Sequence, residues 1–116
     1  MTFKREDVAW AAGLFEGEGT CGAYYGTFLT KAGERRPRKT AQAQLAIGMT
    51  DLEPLEKFKE TFGFGSIHGP YEVSGGTKPA YKYYVNKREH VQAILAAIYP
   101  WLSPRRREQV AQALAR

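Results

Sequence analysis

Cysteine is almost missing from these 116 residues. Cys21 stands alone, so no internal disulfide forms and no cysteine-based zinc pattern exists. Histidine is nearly as scarce: His68 and His90 are the two present, and neither has a partner at ligand spacing. No apolar run approaches the ~20 residues of a membrane span, and no signal-peptide layout opens the chain. A cytoplasmic, soluble protein with no membrane partner is expected. Acidic residues are outnumbered, 12 against 17 Lys and Arg, for a net charge of +5. That balance points to a polyanionic partner. With 43% hydrophobic and 25% charged residues, the composition is that of one ordinary globular domain, residues 1–116.

What is present is concentrated in Trp10–Thr20, reading Trp-Ala-Ala-Gly-Leu-Phe-Glu-Gly-Glu-Gly-Thr. Ala9, Gly13 and Gly17 recur every fourth residue and stack on one helix face. Glycine inside a helix costs about 1 kcal/mol relative to Ala. Close approach by a second helix is the usual compensation. Glu16 and Glu18 fall in the last turn before Gly19, read here as the C-terminal stop. There the dipole is negative and the last carbonyls lack partners. A hard divalent cation would reverse the sign, since it takes carboxylate and carbonyl oxygens. A solvated helix end with two exposed glutamates is the plain alternative.

Along the chain, residues 1–5 read as a tail and Glu6–Glu18 as the first helix, its acidic start favoured by the dipole. Thr20–Thr30 is β-prone. Lys31–Lys39 reads as a hairpin loop with Lys31, Arg35, Arg36, Arg38 and Lys39 against Glu34 alone. A solvated turn would account for it; its place at a hairpin tip argues for phosphate contact. Next, Ala41, Ala43, Leu45, Ile47 and Met49 alternate with Thr40, Gln42, Gln44 and Ala46. The first set makes a core face. The second presents amides and a hydroxyl suited to base edges in a major groove, or simply to solvent.

Thr50 and Glu53 match a capping box for a helix from Leu52 to about Phe62, with Gly63 ending it. Gly65–Glu72 and Lys78–Lys87 form a second hairpin through Ser74-Gly75-Gly76-Thr77. Tyr81, Tyr83 and Val85 face the core; Lys82, Tyr84 and, on the other strand, His68 face the ligand side. A third helix from about Arg88 carries Val91, Ile94, Leu95 and Ile98 and stops at Pro100. Trp101-Leu102 then pack. Ser103 caps a last helix with Pro104 in its first position. Arg105, Arg106 and Arg107 oppose the dipole in its first turn. An external anion such as a DNA phosphate would relieve that conflict.

Ala11-Ala12-Gly13-Leu14-Phe15-Glu16-Gly17-Glu18-Gly19 resembles the motif of the LAGLIDADG homing endonucleases, with Ala11 for its first Leu and Glu for both Asp. The resemblance, which extends to the element order, implies an α+β fold of αββαββα type, a four-stranded antiparallel saddle sheet with helices on one face. A single motif implies a homodimer on a pseudo-palindromic duplex site, with Ala9, Gly13 and Gly17 at the seam. It implies Glu18 and the Gly17 carbonyl as ligands of magnesium or another divalent cation such as manganese, and Lys87, with Arg88 next to it as the alternative, as a basic catalytic partner. The polar residue the family tends to carry at the end of the second strand is replaced by Ile47 or Met49. DNA contacts are expected from Tyr24, the basic loop, Thr40, Gln42, Gln44, His68, Lys82, Tyr84, Arg105 and Arg106.

Three functions remain in contention at this point. One is a metal-dependent, site-specific DNA endonuclease of intron or intein mobility. Another is a non-cleaving relative, an intron maturase or regulator; the retained Glu18 favours the nuclease. The last is a structural dimer, which steep salt dependence of DNA affinity would exclude.

Overall fold

A computed structural model describes residues 3–72, 75 and 78–115. Helix α1 (Arg5–Glu18) leads directly into strand β1 (Gly19–Tyr24). Two short strands follow, β2 (Thr27–Leu29) and β3 (Arg35–Pro37), then β4 (Gln42–Met49) and α2 (Leu52–Phe62). Strands β5 (Ser66–Tyr71) and β6 (Ala80–Val85) precede α3 (Arg88–Ile98), a 3₁₀ turn (Tyr99–Trp101) and α4 (Pro104–Leu114). The main sheet has the order β1-β4-β6-β5 and every pairing is antiparallel. No described helix is long and apolar enough to cross a membrane.

The alternation along β4 decides which way the sheet faces. Ala43, Leu45 and Ile47 are buried, as are Tyr83 and Val85 on β6. They meet Phe15 of α1, Leu55, Phe58 and Phe62 of α2, and Val91, Ile94, Leu95 and Ile98 of α3 in one core. Each large side chain so buried contributes about 1.5–3 kcal/mol. Phe58 packs edge-on against Tyr83 at 5.3 Å between ring centres. The Tyr83 hydroxyl donates to the Phe64 carbonyl at 2.7 Å, so its one polar atom is satisfied where burial pushes the phenol pKa up. All four helices thus lie on one side of the sheet. The other side is bare.

Several local expectations give way. The basic segment is not one loop. Gly26, at φ +55°, turns the chain out of β1, and β2 and β3 pair as a separate ribbon. Its turn closes with Thr30 N–H donating to the Glu34 carbonyl at 2.8 Å. Thr40 lies before β4 rather than in it. The capping box does not form: Asp51 holds the N-cap position, without a side-chain cap bond. Trp101 stays 44% exposed, shielded by the Arg5 guanidinium 5.1 Å from its ring centre. Of the Ser74–Thr77 turn only Gly75 lies within the described residues, and residues 1–2 of the expected tail lie outside them.

Gly19 is not a left-handed helix stop. Its φ of −87° and ψ of 162° are ordinary extended values, which any residue adopts. Its glycine is required by space, because a Cβ there would fall within the fully buried Phe15 ring. Gly19→Ala is therefore expected to cost about 2 kcal/mol, the range for overpacking a filled core. A lowered denaturation midpoint in the full chain checks this; an unchanged midpoint would refute it.

Candidate nucleic-acid interface

The C-terminus of α1 and the N-terminus of α4 meet, and opposite helix poles attract. Glu16 bridges them. Its Oε1 accepts the Ser103 backbone N–H at 2.7 Å and its Oε2 the Ser103 hydroxyl at 2.9 Å. Ser103 Oγ in turn accepts the Arg106 N–H at 3.3 Å, so Ser103 caps α4 as its sequence predicts. Arg106 answers in the other direction: its Nε donates to the Glu16 backbone carbonyl at 3.1 Å. The guanidinium lies 5.5 Å from the centre of the Phe15 ring and also reaches Gln109 at 2.9 Å. The backbone N–H of Ser103, opposed by partial burial and helped by its hydroxyl, Arg106 and Arg105, holds the Glu16 pKa below the ordinary glutamate value.

This junction corrects two readings. Glu16 is not an unexplained acid at a negative pole, because its carboxylate is turned to the positive pole of α4. Nor do three arginines wait for a phosphate. Arg106 is 8% exposed and already paired, which removes it from the expected DNA contacts. Arg107 donates to the Tyr99 and Pro100 carbonyls. Arg105 alone remains exposed in that turn.

Glu18 remains. It is exposed and meets no partner among the described residues. Gly17, beside it, lies in the last turn, where helix geometry leaves a carbonyl without an i+4 donor. Both donors are oxygens, the set a hard divalent cation takes. No three His, Cys, Asp or Glu side chains converge among the described residues. Gly13 and Gly17 are exposed, and a methyl group placed on either would meet nothing within 4 Å. No contact within the protomer therefore explains these two glycines.

Lys87 does not join Glu18. It occupies the N-cap of α3, just past Val85, which pairs with Leu45, and it shares a groove with Ala41, Gln42 and Ala43. Glu18 adjoins Gly19, which pairs with Ile47. From Ile47 to Ala43 is about 13 Å along the strand at ~3.3 Å per residue, with the width of the sheet in addition. The basic side chains at Glu18's own end of the molecule are Arg105, whose charge is felt by Glu16, and Lys82, which pairs with Gly48 next to Ile47.

The bare face of the sheet carries the polar residues of the alternation. Thr20 and Tyr24 stand on β1, Gln42 and Gln44 on β4, Lys82 and Tyr84 on β6, and His68 on β5. His68 shares a hydrogen bond with Ser66 Oγ at 2.9 Å and lies opposite Lys82. Thr20, Gly22, Ser66 and Asn86 of this face escaped the sequence reading. Continuing the two-residue period past Tyr84 would have found Asn86, and the same step back from His68 finds Ser66. At the ribbon, Arg36 pairs with Glu34 at 2.8 Å and Arg35 donates to Thr27 Oγ1 at 3.1 Å. Arg38 lies 5.8 Å from the Phe28 ring centre. Lys31 and Lys39 are exposed and have no partner among the described residues.

No family model matches this chain, and no curated protein matches it. Solved structures do. The group I intron-encoded homing endonuclease I-CeuI, complexed with DNA, superposes with a TM-score of 0.70 at 17% identity over 99% of this chain and 55% of its own. The homing endonuclease I-CvuI, in complex with its target in the presence of calcium, gives 0.66 at 16% identity over 91% and 62%. The LAGLIDADG homing endonuclease I-SmaMI, bound to cleaved DNA, gives 0.59 at 22% identity over 89% and 32%. The chain therefore spans about half to two thirds of the first two and a third of the last. At these identities the likeness establishes the fold.

The Glu16 junction generates a pH prediction. A carboxylate whose pKa is lowered on folding adds stability above its unfolded value, ~4.3, and loses it as pH falls through the folded value. Glu16→Gln should lower the melting temperature by a constant amount between pH 6 and 8, measured against wild type. Below the unfolded value the gap should narrow. A gap that widens in acid would contradict the assignment.

Proposed function

Because the chain has the fold of the LAGLIDADG homing endonucleases, we propose that it is a site-specific double-strand DNA endonuclease working as a homodimer on a long pseudo-palindromic site. The observation that carries this reading is Glu18, an exposed carboxylate without a partner among the described residues at a negative helix pole, beside two glycines that nothing in the protomer covers. A second copy laid along Ala9, Gly13 and Gly17 would bring two such carboxylates together on a twofold axis. The bare sheet faces and the Lys31–Lys39 ribbons of both copies would then lie along one duplex.

Glu18 and the Gly17 carbonyl are the groups that would hold magnesium or manganese, each copy contributing its own pair. When bound, the cation supplies charge for the scissile phosphate and a lowered pKa for its water. The protein's own part is orientation: Gly19 enters β1 directly from α1, and the Glu16–Ser103–Arg106 bridge fixes that helix end against α4. Arg105 and Lys82, rather than Lys87, are the basic side chains suited to meet a phosphate there. Lys31, Lys39, Arg35 and Arg38 supply sequence-independent contact to the backbone.

One observation favours a non-cleaving DNA-binding relative, a maturase or regulator. At the end of β4 the residue on the bare face is Gly48, opposite Lys82, while Ile47 and Met49 turn to the core, so no polar side chain of β4 stands there to organise water. Magnesium and a randomised duplex library distinguish the two readings. The nuclease yields cut ends sharing a long, nearly symmetric sequence, and Glu18→Gln abolishes cutting while retaining affinity. Equal loss of binding and cutting would remove Glu18 from its role. Specific binding without any cut ends would select the alternative.

The dimer has its own test. Gly13→Leu should leave the isolated protomer folded and at least as stable, since a mid-helix glycine costs about 1 kcal/mol and space is open around it. The same change should block close helix approach and yield monomers by sedimentation. A dimer that persists would show that copies meet elsewhere.

A further inference from the structure

We infer that Gln44 and Asn86 form a single base-reading unit, flanked by Tyr24, that selects adenine at one position of each half-site. The inference rests on the DNA-binding reading above and names residues within it. Gln44 Nε2 donates to Asn86 Oδ1 at 2.8 Å on the bare side of the sheet. The bond joins β4 to the residue following β6, one step past the last paired residues, Leu45 and Val85. On the other flank, Gln44 pairs with Gly22 of β1. The Tyr24 side chain lies back over that glycine, and a Cβ added to Gly22 would stand 2.9 Å from its hydroxyl oxygen. A phenol, a carboxamide and a second carboxamide therefore follow one another across three strands. At ~4.8 Å per strand the row is about 10 Å long, against a major groove about 12 Å wide.

The chemistry of the pair narrows what it reads. A hydrogen bond between two carboxamides uses one N–H and one carbonyl lone pair. It leaves the Gln44 carbonyl and the Asn86 amino group wholly free, one an acceptor and the other a donor. Turning both amides over exchanges the roles and leaves the same complement. In the major groove adenine offers a donor, N6–H, next to an acceptor, N7. Guanine offers two acceptors, cytosine a donor alone, and thymine an acceptor beside a methyl group. Adenine alone takes a free carbonyl and a free amino group at once. The bond also fixes two flexible side chains before DNA arrives, which lowers the ordering cost of binding. Gly22 contributes by leaving room for the Tyr24 ring to lie flat.

Binding selection from a randomised duplex library, with the full chain in chelator so that nothing is cut, tests this. Wild type should select adenine at one position per half-site. Asn86→Ala and Gln44→Ala should each reduce that preference by about tenfold, the discrimination of one bidentate contact, and leave other positions and the melting temperature unchanged. The double variant should do no more than either single one, as expected for a coupled pair. Gly22→Ala should disturb the same or the adjacent position by lifting Tyr24. Loss of stability with an unchanged base preference would make the bond merely structural and overturn the inference. A guanine at the affected position would overturn it as well. Both outcomes leave the DNA-binding reading intact, whereas a wild-type protein that selects no sequence overturns both.

Discussion

The negative end of α1 meets the positive end of α4, and that contact governs what the motif can do. Neither helix carries suitable charges in its own terminal turn: α1 ends in two glutamates without a base, and α4 begins with three arginines. Each conflict cancels the other across the junction. Glu16 satisfies the amide at the start of α4, and Arg106 satisfies a carbonyl at the end of α1. Hydrogen bonds involving an ionised group are roughly twice as strong as neutral ones. A partly buried set of this kind therefore fixes a helix end more firmly than surface pairs such as Arg36 with Glu34. Glu18 and Arg105 are what is left over, one acid and one base, exposed on a rigid support.

The sheet divides the molecule's labour. Its inner side takes the aliphatic and aromatic half of each alternation and holds the four helices. Its outer side keeps polar groups in rows one strand spacing apart, which suits the proposed contact with a duplex groove. The ribbon of β2 and β3 stands outside that sheet, linked through Gly26, and holds cations that the core does not need. The proposed function thus draws on groups that the core does not use: Glu18, the open glycines, Lys31, Lys39 and the outer amides.

Much of this was legible in the residue pattern. The period-two alternation of β4 and β6 gave the correct faces, and the helical stripes of α2 and α3 gave the buried residues found there. The α4 cap at Ser103 was also readable, because capping is local chemistry. Three things were not. Glu16 and Glu18 look equivalent in a string of residues, and only a helix from the far end of the chain, 87 positions away, separates them. Gly19 reads as a helix stop, although its cause is the Phe15 ring. Lys87 seems to belong with the motif until strand register places it at the other end of β4.

Sequence alone therefore determined the elements, the sense of each strand's two faces, the basic character of the surface and the motif with its small-residue stripe. Those properties depend on neighbours within a few residues, where periodicity and propensity act. Tertiary structure decided which acid is structural and which is exposed, which arginine is paired, and which amides lie in one row. Those outcomes depend on the meeting of groups far apart in the chain, and no local spacing encodes the direction from which a distant helix end arrives.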